Sequence, residues 1–282
     1  MTTETSGSGD VARSLELLWG TAGHPSRGPK PGLTLDRIVS TAIEIADAEG
    51  LAAVSMRRLS TELGTGTMSL YRYIPGKAEL LDLMLDRVSD FGPWEPGPEK
   101  IGWRQGVTEM ARGYLLLYRA HPWLLKVNQS RTVLGPSTVR AMETALTLLQ
   151  DMRLSDPEMI SVIITTHSFV MGIARIEAEA AEAVEATGQS VEEFWESQGP
   201  FLEQAMTSGA YPLTAGLSAE AFGPEFDHFE FGLETLLDGL EARVRRRAER
   251  AGGAAGPPGG PAGAEPGTGR TARGRATARE DR

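Results

Sequence analysis

Residues 55–74, SMRRLSTELGTGTMSLYRYI, carry the densest set of side chains able to recognise a polyanion. Thr67, Ser69, Tyr71, Arg72 and Tyr73 offer hydroxyls, a guanidinium and aromatic edges, which are the groups that meet phosphate oxygens and base edges. Ser55 is a good N-cap for MRRLSTEL, Gly64 stops that run, and a further helical run, TMSLYRYI, ends at Pro75-Gly76. Two short helices joined by so brief a turn form a helix-turn-helix. That geometry needs a small residue where the helices meet, here Ser60, and a sharp backbone turn four positions later, here Gly64. Leu59, Leu63 and Leu70 supply the apolar contacts beneath. Two helices with a glycine turn also occur in purely structural bundles, so the pair alone leaves both readings open.

Other chemistries are poorly supplied. The chain has no cysteine, which excludes a disulfide framework, a thiolate metal site and a cysteine nucleophile. It has neither a G-x-x-x-x-G-K-[ST] loop nor an H-E-x-x-H helix, and acid–base work would fall to His24, His121, His167 and His228. Glu177, Glu179, Glu182 and Glu185 lack an accompanying Glu-x-x-His pair and fit a solvated helix face. No enzymatic activity, metal or cofactor is expected.

With 282 residues, 40% hydrophobic and 23% charged, the chain has the size and composition to bury an ordinary core. Its net charge of −10 is unevenly spread. Residues 27–77 hold seven Lys or Arg against five acids, whereas residues 78–240 hold 10 against 25. The acidity therefore belongs to the middle and the basic residues to the flanks, one of them the helix-turn-helix stretch and the other the end at 241–282. The start MTTETSGSGD lacks the basic and apolar regions of a signal peptide, and runs such as VIITT fall short of the roughly 20 apolar residues of a membrane span. No membrane association and a cytoplasmic location are expected.

The positioning elements are helical. Leu35, Ile38, Val39, Ala42, Ile43 and Ala46 line one face of a helix that Gly50 can end. Lys77 opens another, with Leu81, Met84, Leu85 and Val88 on one side, running to the Pro/Gly cluster FGPWEPGP. Further helices are predicted over 102–120, 122–130, 136–152, 157–186, 191–208 and 225–249, and no strand alternation persists. The fold class is all-α: an N-terminal three-helix helix-turn-helix domain joined to a larger helical domain. The expected divisions are a flexible arm at 1–32 with a short amphipathic helix in VARSLELLW, a helix-turn-helix domain at 33–90, a helical domain at 100–250 and a disordered tail at 251–282.

Residues 33–88, LTLDRIVSTAIEIADAEGLAAVSMRRLSTELGTGTMSLYRYIPGKAELLDLMLDRV, resemble the DNA-binding domain of the tetracycline-repressor (TetR) family. FEFGLETLLDGLEA at 229–242 resembles the last helix of that family's C-terminal domain. The resemblance implies that Arg57 touches backbone or bases, that Tyr71 packs on phosphate and sugar, and that Lys77 grips a phosphate. It places Thr67, Met68, Ser69 and Tyr73 toward the bases beside Arg72, and makes Arg27 and Lys30 a basic arm. It assigns the larger domain to dimerisation and the binding of a small inducer. The interface would combine Ala174 and Ala178 with Phe229, Leu233, Leu236 and Leu240, although these stripes could equally be the domain's own core. The pocket would be lined by Trp103, Tyr114, Tyr118, Met142, His167 and Met171, with His167 alternatively a core or interface residue. Where the tetracycline repressor holds drug-bound magnesium through a histidine, KVNQSR at 126–131 offers Asn128, so the expected inducer is not tetracycline with magnesium.

The implied function is a homodimeric, sequence-specific repressor released from double-stranded operator DNA by a small molecule. A DNA binder without an effector would instead have a filled core, and a helical enzyme is the remaining alternative. Removing 251–282 should leave the dimer mass and the operator affinity nearly unchanged in sedimentation and gel-shift measurements. Loss of either would give the arginine-containing tail a role.

Overall fold

A computed structural model describes residues 4–21, 33–91, 101–222 and 226–253. It contains α1 (Val11–Leu18), α2 (Leu35–Glu49), α3 (Met56–Glu62), α4 (Thr67–Leu70), α5 (Lys77–Val88), α6 (Trp103–Ala120), α7 (Pro136–Leu149), α8 (Asp156–Thr187), α9 (Val191–Thr207), α10 (Pro212–Ala215) and α11 (His228–Gly253). Strands are confined, among the described residues, to the short parallel pair β1 (Glu4–Thr5) and β2 (Val127–Asn128). The all-α class holds. One compact unit runs to Val244, and the end of α11 from Arg245 belongs to a second. Arg27 and Lys30, the cluster from 92 to 100 and the tail beyond Gly253 lie outside the described residues.

The head is built by α2–α5, whose apolar faces close over Ile38, Ala42, Leu59, Leu70, Ile74, Leu80 and Met84. Thr34 caps α2 by accepting from the Arg37 amide, and Ser55 caps α3 by accepting from the Arg58 amide, as side-chain oxygens at that position do. The body packs α6 against α7 and α8, with Val107, Ala111, Leu149 and Val170 buried. Leu233 and Leu237 of α11 join the same core.

Three features differ from the sequence expectation. The helix foreseen over 122–130 is a 3₁₀ turn, Pro122–Lys126, that stops where Val127 pairs with Glu4. Residues 4–9, expected within a loose arm, belong to the fold: Ser6 and Ser14 are buried against Asp82, and α1 packs on α5. Serine and glycine read as flexible because their buried partner lies 76 positions beyond Ser6. Finally, α8 is long and apolar enough, by length and composition, to cross a membrane. Its Val162, Thr166, Val170 and Ala174 are four apart and buried on one face, while Ile164 and Ile176 stay exposed.

Leu59 is fully buried between the helices of the head. Leu59→Ala should lower the unfolding free energy by about 2–5 kcal/mol in urea titrations followed by circular dichroism.

Candidate nucleic-acid interface and small-molecule cavity

The turn between α3 and α4 is fixed by Gly64, whose φ of 62° lies in the left-handed region that favours glycine. Ser60 is buried at the crossing of the two helices. Its hydroxyl donates to the Arg57 carbonyl at 2.8 Å and accepts from the Thr67 hydroxyl at 3.1 Å, so a larger side chain there would push α4 away. Arg58 joins Glu49 at the end of α2 to Glu62 on α3. Hydrogen bonds to those two carboxylates raise its already high pKa, and its charge is spent inside the head.

With Leu70 and Ile74 anchored in the core, α4 turns its other side outward. Met68 is 77% exposed and Tyr71 45% exposed. Arg72 is also exposed, its guanidinium 3.4 Å from the Ser69 hydroxyl. Arg57 is exposed on the neighbouring α3. Ser69 is half-buried, and Thr67 is half-buried with its hydroxyl already bonded to Ser60. Two residues sit differently from expectation. Tyr73 is half-buried and donates its hydroxyl to the Leu33 carbonyl at 3.1 Å, bracing the start of α2 instead of standing outward. Lys77 opens α5 but is held 2.9 Å from the Glu4 carboxylate, a partner that no local pattern around Lys77 could reveal.

A cavity of about 160 Å³ lies between α5, α6, α7 and α8. It brings together Tyr114, Tyr118, Met142 and His167, but not Trp103, Asn128 or Met171. Trp103 and Met171 pack partly buried against the core. Asn128 is exposed in β2 and accepts from the Ser130 amide, while Gln129 lines the cavity, the alternation expected of extended backbone. Sequence reasoning misses Leu85 and Val88 of α5, Ser89 at its end and Thr138 of α7, since local spacing places α5 in the head and does not bring α7 beside it.

Inside the cavity the Tyr118 hydroxyl and His167 Nε2 are 2.6 Å apart. Burial lowers the pKa of His167 and raises those of Tyr118 and Tyr114, so imidazole and phenols are all neutral near pH 7. The neutral phenol then donates to Nε2, leaving the imidazole proton on Nδ1. Tyr114 packs edge-on to the ring, with centroids 5.0 Å apart. The result is an apolar slot with a few uncharged polar groups, suited to a small organic ligand.

The stripes expected at an interface are partly spent within one chain. Ala174, Phe229 and Leu233 are buried, Phe229 stacking on Phe169, because that side of α8 and α11 faces the body's own core. Ala178, Leu236 and Leu240 are partly buried. A larger open groove, about 1080 Å³, runs past Leu116, Ile173, Ile176 and Phe226 and carries the ion pairs Arg112–Glu230 and Arg119–Glu177.

Residues 38–84 match the family described as bacterial regulatory proteins, tetR family, and residues 95–244 match the tetracyclin repressor-like C-terminal domain. The chain belongs to the TetR family. This TetR-family regulator is 58% identical over 252 residues to the HTH-type transcriptional repressor DrrR1 of Streptomyces coeruleorubidus, covering 88% of this chain and 93% of that protein. It is 25% identical over 215 residues to the class E tetracycline repressor protein of Escherichia coli, covering 75% and 92%. Among solved structures, ActR of Streptomyces coelicolor in complex with actinorhodin matches with a TM-score of 0.56 and 33% identity, over 77% of this chain and 99% of that one. Family and relatives are transcriptional regulators, not enzymes.

Because burial depresses the pKa of His167, the unfolded chain binds more protons than the folded one once pH falls below about 6.5. The contribution of His167 to stability is therefore complete above that value and is lost as pH falls toward the folded pKa. Urea titrations at pH 7.5 and 5.5 should show a smaller loss of stability on acidification for His167→Phe than for the unaltered chain. Equal losses would contradict a buried, neutral imidazole.

Proposed function

We propose that this TetR-family regulator is a cytoplasmic repressor that binds a pseudo-palindromic operator as a homodimer and leaves it when a small molecule enters the cavity beside α5. The outer side of α4 and its C-cap carries this reading: Met68 on the helix and Tyr71 at its end are exposed, while Leu70 and Ile74 are locked in the head, next to Arg57 and Arg72. Two such helices would enter major grooves about 34–36 Å apart. A second copy would cover the apolar residues that one chain leaves outward on α8 and α11, including Ile164, Ile176 and Phe231.

The cavity supports response to a ligand over a constitutive binder. At about 160 Å³ it is smaller than the roughly 300–1,000 Å³ of common ligand sites, so a ligand of ordinary size must displace its walls. One of those walls is α5, which also belongs to the head. A ligand that fits only the opened cavity favours a displaced head, and DNA that fits only the present head disfavours the ligand by the same factor. The complex of ActR with actinorhodin supports a small-molecule ligand here too, to which Tyr114, Tyr118 and His167 offer aromatic contact and uncharged hydrogen bonds.

Selection from random duplex DNA with the purified protein should enrich an inverted repeat, and enrichment of none would defeat the reading. On the selected operator, Tyr71→Ala should weaken binding by about tenfold or more, on the order of 1–3 kcal/mol, with the oligomeric mass unchanged. An unchanged gel-shift titration would remove α4 from the interface.

A further inference from the structure

Resting on that operator reading, we propose that residues 4–14 form a strap that positions the DNA-reading head on the body and so determines which half-site spacing the protein accepts. The strap has one end on each part. On the body, β1 pairs with β2, and the Ser6 amide continues the pairing by donating to the Asn128 carbonyl at 3.1 Å. On the head, the Ser6 hydroxyl and the Gly7 amide donate to Asp82 Oδ1 at 3.0 and 2.9 Å, and the Ser14 hydroxyl donates to Asp82 Oδ2 at 2.8 Å. Asp82 is 1% exposed and both serines are as deeply buried, so these bonds exclude water. One turn earlier on α5, Glu79 accepts from the Asp10 amide at 2.8 Å.

The approach is too close for casual docking. A Cβ on Gly9 would fall 2.3 Å from the Glu79 carboxylate oxygen, and Gly7 holds a φ of 65° beside the Arg131 carbonyl. Without the strap, α5 is tied to the body through its later residues, where Asp86 accepts from the Ser137 and Thr138 amides, and α2 is tied through Asp47, which meets Trp123 and His121. The strap adds a hold on the first half of α5, nearest the turn that leads from α4. A buried carboxylate with three donors has one favourable place, so the strap restricts rotation of the head and thereby the separation of two α4 helices across a dimer.

The test is the ratio of affinities for the selected operator and for the same operator with one base pair inserted at its centre, which moves one half-site by about 3.4 Å and rotates it by about 35°. Deleting residues 2–9 should lower this discrimination by about fivefold or more. Partial unfolding, or release of Lys77 from Glu4, would change both affinities alike and cancel in the ratio. Should the deletion not fold, Ser14→Ala in the full chain is judged by the same ratio. A second arm uses the absence of native cysteine. Thr5 and Asn128 are paired across the strands, and neighbouring strands lie about 4.8 Å apart, within disulfide reach. With Thr5→Cys and Asn128→Cys in the otherwise unaltered chain, oxidation holds the strap on the body and should leave discrimination at least as high as in the reduced chain, and a fall on oxidation would count against the strap.

An unchanged ratio in the folded deletion variant would overturn the proposal. If the unaltered protein selects no inverted repeat, the operator reading fails separately. The strap is then judged by spin labels at Ala52→Cys on the head and Gln150→Cys on the body, diluted with unlabelled chain. Deletion of 2–9 should broaden a narrow distance distribution, and an equally narrow one would overturn it.

Discussion

Three buried carboxylates on one helix hold this molecule together. Glu79, Asp82 and Asp86 follow one another along α5, and each is at most 6% exposed. A carboxylate taken out of water is costly unless donors replace its hydration. Here the donors come from distant segments: Asp10 for Glu79, Ser6, Gly7 and Ser14 for Asp82, and the first turn of α7 for Asp86. The last site also places negative charge at the N-terminus of a helix, where backbone N–H groups favour it. Gly135 permits this contact, since a Cβ there would lie 2.4 Å from the Asp86 carboxyl carbon. Apolar packing alone would let these segments slide, whereas matched donors give each a single register.

The same helix joins the two tasks of the chain. Its Leu80 and Met84 fill the head, and its Leu85 and Val88, with Ser89 at its end, wall the cavity of the body. A ligand that enlarges the cavity therefore acts on an element that the head cannot move without. The polar groups within are few, and the phenols and imidazole are neutral near pH 7, which suits an uncharged ligand.

Much of this was legible in the sequence because its determinants are local. Ser55, Ser60, Gly64 and the apolar spacing of α2 lie within a few turns of what they organise, and the head follows from them. The four candidate pocket residues that do line the cavity, Tyr114, Tyr118, Met142 and His167, are large groups on the neighbouring long helices α6, α7 and α8. What escaped depends on distance along the chain. The strap looked like a flexible arm because its carboxylate partners are 68 to 76 positions away from Ser14 and Ser6. Tyr73 looked outward because its acceptor, the Leu33 carbonyl, lies before the first helix of the head. Gln129, not Asn128, lines the cavity because the extended backbone where β2 pairs with the strap sends successive side chains to opposite sides. The stripe on α11 was divided between core and surface, a choice that periodicity cannot make.

The most direct measurement is a crystal structure of the protein on its selected operator. The account predicts Met68 of α4 and the Tyr71 that follows it in the major groove, Lys77 turned from Glu4 to a phosphate, and Ser6 and Ser14 still on Asp82. DNA held by another face, with α4 turned away from it, would contradict the account.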